Sequence, residues 1–463
     1  MFIHYSDFPF ITVNQVNPIE ELVEYINTPL NSFAWGWPTV ILIALTGIIL
    51  MLGLGFVPIL KLPYGIRMLF NNSSLDNADG DITPSQALMT SLSATIGTGN
   101  IAGVAAAIAI GGPGAIFWMW LIAIFGIATK YAEALLAVHF REVDTLGKYV
   151  GGPMYYIKNG LGPRWTWLGT SFALMGMLAG FGIGNGVQCF EVSSALSIIG
   201  IPRLATGILL GFLVFSVIIG GVKRIAQAAS AIVPTMAFLY VGSCLIILIL
   251  NLTEIPNAFL LIFSNAFTGK AAVGGTLAQV ILMGFKRGIF SNEAGLGSAP
   301  IAHASASTKD PVRQGTIAML GTFIDTLVIC TMTALVIITT GAFETGKSGS
   351  DLSILAFNQG LSGSGIVVIF GLVVFAFTTV LGWSFYSERC TEYLFGVKAI
   401  IPFRFLWVAV VVIGSIAGDR GIVWSVADTL NGLMAIPNLI AILLLSGTVF
   451  KLTRNYNFNK LNT

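Results

Sequence analysis

The chain has 463 residues, of which 55% are hydrophobic and only 10% are charged, and its formal net charge is +2. Soluble domains carry about 25% charged residues, so this composition excludes a soluble globular protein and predicts an all-α polytopic protein in a lipid bilayer. The small net charge gives no indication of a nucleic-acid partner. The sequence has no phosphate-binding loop, nucleophile elbow or zinc-protease motif, so neither an enzyme nor an organic cofactor is expected.

Eleven segments are apolar and long enough to cross a bilayer, which takes about 20 residues. They cover 38–60, 86–110, 114–140, 166–193, 203–221, 227–251, 273–299, 312–341, 363–394, 403–418 and 422–450. Before them, 1–37 is predicted to be an extracytoplasmic segment with a short amphipathic helix at 17–31. Residues 255–268 are predicted to form an interfacial helix. Residues 38–450 then make one transmembrane domain, followed by a tail at 451–463.

Lysine and arginine residues are distributed unequally between the two sides that this count defines. One set of connections and the C-terminal tail hold most of them, and the opposite set holds only Arg203, Lys270, Lys347 and Arg420. Because positive residues favour the cytoplasmic side, the sequence predicts a multi-pass protein of the plasma (inner) membrane. Its N-terminus is expected outside and its C-terminus in the cytoplasm.

The span count also predicts an internal repeat. With 38–60 set aside as an extra helix, ten spans remain, and they divide into 86–251 and 273–450. Corresponding spans are five apart, and five is odd, so the two halves enter the membrane in opposite orientations. This is the arrangement of an inverted-topology repeat.

The second span is interrupted by the polar, glycine-rich stretch Thr95-Ile96-Gly97-Thr98-Gly99-Asn100. Irregular backbone survives at membrane depth only where it lines a site or cavity. A helix that restarts here presents free N–H groups and a partial positive charge, which suit a carboxylate. The preceding half-helix presents carbonyl oxygens, which suit Na⁺. The alternative is a continuous helix with a packing seam of small residues at Gly99 and Gly103.

The seventh span contains a second break, GFKRGIFSNEAGLG at 284–297, with Phe290 to Glu293 as the predicted unwound stretch. Breaks at matching positions of two inverted halves indicate the binding site of a transporter. Phe290 is expected to cover the substrate. Lys286 and Arg287 must lie away from the bilayer centre or in an aqueous cavity, because a charge at the centre costs about 2.5–3.5 kcal/mol. The alternative is a re-entrant loop without a site.

The ninth span carries the hydroxyls of Thr378 and Thr379 one turn after the carbonyl of Phe375. Carbonyls of Ser93 and Ile96 would complete a cage of five oxygens for Na⁺. The alternative is that the threonine hydroxyls bond back to their own helix.

Further polar residues lie inside the apolar runs. Asp325 can ligate a cation, carry a proton or brace a broken helix, and Glu133 can satisfy N–H groups that a break frees. Gln188 offers a donor and an acceptor to a zwitterion, or else forms an interhelical hydrogen bond. Glu388 and Asp428 lie nearer the ends of spans, where hydration is expected.

Several long motifs occur together in this chain. They are SLSATIGTGNIAGVA (91–105), GGPGAIFWMW (111–120), KYAEALLA (130–137), GGPMYY (151–156), GFKRGIFSNEAGLGSAPIAHA (284–304), VLGWSFYSERC (380–390) and ADTLNGLMAIPNL (427–439). Together they resemble the alanine or glycine:cation symporter family, the sodium:alanine symporters, over about residues 38–450. The resemblance implies the leucine-transporter-like fold, with one extra helix before a five-plus-five inverted repeat. It also implies uptake of alanine or glycine coupled to Na⁺, or in some members to H⁺.

The resemblance carries over to individual positions. It implies substrate contacts at Thr95, Gly99, Asn100, Gln188 and Trp383, and at Phe290, Ser291, Glu293 and Gly295 of the second unwound segment. It implies the sodium site of this fold at Ser93, Ile96, Thr378 and Thr379.

These observations lead to the hypothesis of a symporter. Na⁺ binds first, a small amino acid docks between the breaks, and the spans rock to expose the site inward. An H⁺-coupled transporter, a passive channel and a membrane sensor are the alternatives. The sequence predicts no oligomeric state.

Overall fold

In a computed structural model of the protein, the described residues are 18–70, 79–268, 276–417 and 421–458. Residues 1–17 of the predicted N-terminal segment, 273–275 of the predicted seventh span and 459–463 of the tail lie outside them. The described chain is mostly helical, which confirms the predicted all-α class.

The first half of the chain contains thirteen α-helices among the described residues. They are α1 (Pro18–Ala34), α2 (Trp37–Gly53), α3 (Val57–Leu60), α4 (Leu62–Phe70), α5 (Pro84–Thr95), α6 (Val104–Gly111), α7 (Ala115–His139), α8 (Pro153–Tyr156), α9 (Thr166–Ala179), α10 (Val187–Ser197), α11 (Arg203–Ile218), α12 (Gly221–Leu250) and α13 (Ile255–Thr268). Two short antiparallel strands, β1 (Glu142–Val143) and β2 (Tyr149–Val150), follow α7.

The second half continues with nine helices. They are α14 (Leu277–Asn292), α15 (Ala299–Ala304), α16 (Pro311–Thr322), α17 (Thr331–Thr339), α18 (Gly349–Gly360), α19 (Gly365–Phe395), α20 (Ile400–Ile416), α21 (Gly421–Leu444) and α22 (Ser446–Arg454). Short 3₁₀ turns cover Pro163–Trp165, Leu252–Glu254, Ala342–Thr345 and Val397–Ala399. π-Helical segments cover Gly99–Gly103, Ile157–Leu161, Gly180–Gly186 and Phe323–Cys330.

Eight helical stretches of the described residues are long and apolar enough to cross a bilayer, and several of them join neighbouring helices, such as α1 with α2, α9 with α10 and α16 with α17. A ninth is the bent pair of α5 with Gly99–Gly111. The sequence predicted eleven spans. The other two would be α11, which has only 16 residues, and α14 with α15, which a break separates.

Several predicted boundaries are wrong. The first predicted span continues to residue 60, but α2 ends at Gly53 and Phe56 adopts a left-handed backbone (φ 61°), so α3 is a separate turn of helix. The last predicted span continues to residue 450, but α21 ends at Leu444 and the more polar α22 follows. Helix α18, between the eighth and ninth predicted spans, was not predicted because it is too short and too polar to cross a bilayer.

Two long helices run through the middle of the bundle. In α7, 83% of the most apolar stretch is buried inside the protein, and this helix packs against α2, α14, α15 and α16. Helix α19 packs against α5, α9, α10 and α12. Helix α7 therefore packs against the second interrupted helix, and α19 packs against the first.

Candidate functional site

The first break separates α5 from the helix that follows it. Ile96 has an extended backbone (ψ 96°), and the helix axes on its two sides differ by 54°. The side-chain oxygen of Asn100 accepts from the N–H of Gly97 at 2.9 Å, which satisfies one of the donors that the break frees. A β-carbon on Gly97 would lie 2.6 Å from Thr379 Oγ1, so glycine lets α19 approach this break closely.

The second break begins later than the sequence predicted. Phe290 to Asn292 remain helical, so the prediction that the chain unwinds at Phe290 is wrong. The reason is that the N–H of Glu293 still donates to the carbonyl of Ile289 at 2.8 Å, which extends the α14 hydrogen-bond pattern by three residues. The irregular segment runs from Glu293 to Ser298.

Backbone conformation ends the helix at this point. Glu293 (φ 55°), Gly295 (φ 89°) and Gly297 (φ 84°) all have positive φ angles. Glycine adopts such angles without strain, but a non-glycine residue there is uncommon and often marks a functional site. The two glycines explain why the chain can turn here, and Glu293 is the residue that the turn strains.

The Glu133 carboxylate on α7 accepts hydrogen bonds from the backbone that this turn frees. Its Oε1 accepts from the N–H groups of Gly295 and Gly297, both at 3.1 Å, and from Asn438 Nδ2 at 2.7 Å. Asn438 also donates to the carbonyl of Gly295 at 2.9 Å, and the Tyr156 hydroxyl donates to Asn438 Oδ1. Because a buried unpaired N–H group costs about 1–3 kcal/mol, these contacts stabilise the irregular backbone.

A second carboxylate contacts the surroundings of both breaks. Asp325 lies in the π-helical segment between α16 and α17 and is fully buried. Asn100 Nδ2, beside the first break, donates to Oδ1 at 2.6 Å. Ser291 Oγ, beside the second break, donates to Oδ2 at 2.8 Å, and so does Thr326 Oγ1. The one carboxylate therefore links the two interrupted helices.

Trp383 on α19 contacts the second break. Its indole N–H donates to Glu293 Oε1 at 2.9 Å, and Ser298 Oγ donates to the other oxygen of the same carboxylate at 2.5 Å. A β-carbon on Gly184 would lie 2.2 Å from the Trp383 side chain, so the glycine-rich segment of the fourth predicted span holds the indole in place. Both Trp383 and Glu293 are buried.

Gln188 and Phe290 flank the glycines of the first break. Gln188 donates through Nε2 to the carbonyl of Ile183 at 3.1 Å, an acceptor five residues earlier in a π-helical segment. Its buried Oε1 has no hydrogen-bond partner within the described ranges and lies 3.8 Å from the position of a β-carbon on Gly97. Phe290 Cδ1 lies 3.5 Å from the corresponding position on Gly99. The predicted substrate contacts on three helices are thus neighbours.

Three of the five predicted sodium ligands lie together. Thr379 Oγ1 donates to the carbonyl of Phe375 at 3.0 Å and lies 3.5 Å from the carbonyl of Ile96. All three residues are buried. The structure therefore brings together oxygens of α19 and of the C-terminal end of α5, the kind of donor that a hard cation prefers.

All the hydroxyls at this place, that of Thr379 included, donate to carbonyls of their own helices, which is the alternative that the sequence left open. Thr378, Ser93 and Thr95 each donate to a carbonyl three or four residues earlier, at 2.9, 2.8 and 3.3 Å. The Thr378 hydroxyl also lies 3.7 Å from Met236 Sδ, whereas the Thr379 hydroxyl lies near Ile96. A contribution of Ser93 to a cation site would therefore come from its carbonyl.

The charge at Lys286 has a partner on another helix. Lys286 Nζ lies 2.9 Å from Asp428 Oδ2, with 18% and 21% of the two side chains exposed. Asn31 Nδ2 donates to the same carboxylate oxygen at 3.2 Å, and the lysine lies 5.4 Å from the centre of the Trp35 ring. Asp428, in the first part of α21, is thus held by an ion pair with α14 and by a hydrogen bond from α1.

Sequence reasoning missed the roles of three buried polar residues. Glu388 was expected to be hydrated, but it is 3% exposed and pairs with Arg404 of α20 at 2.6 Å, so that prediction is wrong. Asn438 and the fully buried Lys130 were not singled out. The signal was present, because Lys130 and Asn438 are polar residues inside two of the motifs that carry the family resemblance.

Comparison with known proteins agrees with these features. The sequence model described as "Sodium:alanine symporter family" matches residues 20–463. The chain is 49% identical over 444 residues to the sodium/alanine symporter AgcS of Methanococcus maripaludis, covering 94% of this chain and 98% of that protein. It is 40% identical over 448 residues to the probable sodium/glutamine symporter GlnT of Bacillus subtilis, covering 96% and 92%.

A solved structure shares the fold. The crystal structure of MhsT in complex with L-phenylalanine superposes with a TM-score of 0.54 at 13% sequence identity, covering 80% of this chain and 97% of that chain. This confirms the leucine-transporter-like fold that the motifs implied. The members of the matching family are secondary transporters rather than enzymes. Because the family model matches nearly the whole chain, the chain belongs to the sodium:alanine symporter family.

Proposed function

We propose that this chain is a secondary active symporter that imports alanine, glycine or both with Na⁺ across the plasma membrane by alternating access. One observation carries the proposal. The buried Asp325 carboxylate accepts from Asn100 beside the first break and from Ser291 beside the second. A movement of either interrupted helix must alter these hydrogen bonds, so a ligand held between the breaks is coupled to both helices.

The amino acid is proposed to lie between the breaks. Its carboxylate faces the helix that begins at Gly99, whose N-terminal N–H groups and partial positive charge attract an anion. Its ammonium takes carbonyl and side-chain oxygens, among them Gln188 Oε1, which has no hydrogen-bond partner among the described residues. Phe290 and Trp383 leave little room beside the α-carbon, which favours small side chains. The remaining proposed contacts are Thr95, Asn100, Ser291, Glu293 and Gly295.

The coupling ion is proposed to bind where α5 ends against α19. Thr379 Oγ1 and the carbonyls of Phe375 and Ile96 are its main proposed ligands. Ser93 and Thr378 are proposed to complete the five ligands. An ion at this place would fix the bend at Ile96, and that bend sets the direction of the N–H groups that receive the amino acid. This order explains why Na⁺ would promote amino-acid binding.

The proposed topology has eleven spans, with α2 as the extra helix before a five-plus-five inverted repeat. It counts α11 as a short span, and it counts the two broken pairs as one span each. The excess of lysine and arginine on one set of connections then places the N-terminus outside and the C-terminus in the cytoplasm. The two breaks become counterparts in spans of opposite orientation, as alternating access in such repeats requires.

Uptake by purified full-length protein in proteoliposomes tests the proposal. Radiolabelled alanine, glycine and glutamine would be offered with an inward Na⁺ gradient, with equal Na⁺ on both sides, and with choline in place of Na⁺. Accumulation of alanine or glycine above equilibrium only with the Na⁺ gradient supports Na⁺ symport. Accumulation driven by a pH gradient in choline would instead favour H⁺ coupling.

Two other outcomes separate the remaining alternatives. Uptake that only equilibrates and is the same in choline would identify a passive channel. Binding of alanine without any translocation would identify a sensor. Protein-free liposomes give the background, and glutamine tests whether the substrate named for the relative GlnT is also accepted here.

A further inference from the structure

Three buried carboxylates at the candidate site share one neighbouring cation. Glu133, Glu293 and Asp325 are each at most 4% exposed. The hydrogen bonds they accept come from neutral donors: backbone N–H groups, amides, hydroxyls and an indole. Lys130 on α7 is an electrostatic neighbour of all three carboxylates.

Lys130 forms neither a hydrogen bond nor a close ion pair with any of these three carboxylates. Its side chain is 1% exposed, and its Nζ has no hydrogen-bond partner in the part of the chain that the structure describes. No carboxylate oxygen of the described residues lies within 4.0 Å of this nitrogen, although Lys286 and Arg404 form such pairs elsewhere. Glu133 Oε2, one helical turn away, is likewise buried without a partner. The Lys130 ammonium therefore acts on these carboxylates through its electric field rather than through a hydrogen bond or a close ion pair.

We propose that Lys130 is a fixed cation of the transport site, which supplies part of the positive charge that the buried carboxylates require and thereby sets the affinity for Na⁺. The inference rests on the proposed function. A zwitterionic amino acid brings no net charge, so within this cluster the balance to the three carboxylates comes from Lys130 and the coupling ion. Uncompensated buried charge is strongly unfavourable. Each of the two cations therefore weakens the attraction of the carboxylates for the other.

The proposal fixes the direction of a measurable effect. Removing the Lys130 charge leaves the cluster more negative, so Na⁺ binds more tightly. Removing a carboxylate charge has the opposite effect. At an effective dielectric constant of about 20, one unit charge changes the binding of an ion roughly tenfold across a separation of about 10 Å, so a tenfold effect is the scale to be tested.

Na⁺-dependent thermal stabilisation of the purified full-length protein measures this affinity without transport. For Lys130→Met, the Na⁺ concentration that gives half of the stabilisation is expected to fall about tenfold, whereas Lys130→Arg stays within twofold of the wild type. Lys158→Met is the matched control, because Lys158 is 44% exposed and pairs with Glu142 away from the cluster. An unchanged half-point in Lys130→Met overturns the proposal.

The double variant Lys130→Met/Glu133→Gln separates charge from packing. It restores the formal charge, and glutamine keeps a carbonyl oxygen for the N–H groups of the second break, so the half-point is expected to return to within twofold of the wild type. A double variant that keeps the tenfold shift overturns the proposal. If Lys130→Met does not fold, Glu133→Gln alone carries the test, with an expected tenfold rise and with no rise as the refuting result.

The failure of this inference is distinguishable from the failure of the proposed function. If Na⁺ neither stabilises the wild-type protein nor drives alanine or glycine uptake by it, Na⁺ symport itself is contradicted. A wild-type protein that responds to Na⁺, with variants that respond at the same concentration, contradicts only the role of Lys130.

Discussion

The Asp325 carboxylate gives the sharpest test of how the two breaks act together. In Asp325→Asn, the side chain keeps its shape and loses its charge. The amide oxygen can still accept from Asn100, and the amide nitrogen then faces the hydroxyls of Ser291 and Thr326, which can rotate to accept. Three charge-assisted hydrogen bonds become neutral ones. Since a charged bond contributes about 1 kcal/mol more than a neutral one, the total loss is about 3 kcal/mol.

That loss should appear in amino-acid binding. If the three bonds hold the breaks in the arrangement that binds substrate, about 3 kcal/mol corresponds to a roughly 100-fold weaker apparent affinity for alanine. Equilibrium binding of radiolabelled alanine to purified protein measures the change. Ser291→Ala removes one of the three bonds and should weaken binding by about tenfold.

A control separates the site from general stability. Asp351→Asn makes the same chemical change on an exposed residue of α18 and should leave alanine affinity unchanged. If folded Asp325→Asn protein binds alanine within threefold of the wild type, the carboxylate does not hold the two breaks together, and the reasoning is refuted.

Three further changes test other parts of the site. Thr379→Ala should raise the Na⁺ concentration for half-maximal alanine uptake about tenfold and should have a smaller effect on alanine affinity at saturating Na⁺. Thr378→Ala should raise that Na⁺ concentration less, because the Thr378 hydroxyl lies near Met236; equal effects would contradict the leading role of Thr379 among the proposed ligands. Gly97→Ala should reduce uptake at least tenfold, because its β-carbon would lie 2.6 Å from Thr379 Oγ1; near-normal uptake would show that the helices can separate. Asp428→Asn should lower the thermal unfolding temperature by about 2 °C through loss of the Lys286 pair, and an unchanged temperature would show that the pair adds no stability.

The approximate positions of the breaks could be predicted from the sequence because local chemistry determines them. Polar, glycine-rich stretches inside apolar runs mark irregular backbone wherever the neighbours lie. The start of the second break depends on one further fact. Gly295 and Gly297, rather than the polar residues before them, provide the positive φ angles, so the helix continues through Asn292.

The roles of the buried acids could not be chosen from the sequence. A cation ligand, a proton carrier and a brace were equally open for Asp325, because each depends on which helices pack against α16 and α17. The structure places donors from two distant segments on the Asp325 carboxylate and two N–H groups of the second break on Glu133. Such long-range contacts leave no periodic signal in the sequence.

The positive charge at Lys286 beside the second break has an explanation in the N-terminal helix. Lys286 lies six residues before the end of α14, about 9 Å along the helix, and pairs with Asp428. Helix α1 completes this contact: Asn31 donates to the Asp428 carboxylate, and the Trp35 indole, just after the helix, donates to the Asp428 carbonyl at 2.6 Å. Without α1 and Trp35, this partly buried ion pair would lose one donor to its carboxylate and an aromatic neighbour, and the Asp428 carbonyl would lose the indole N–H. The N-terminal helix therefore stabilises the segment of α14 that leads into the second break, which links a region outside the proposed repeat to the site within it.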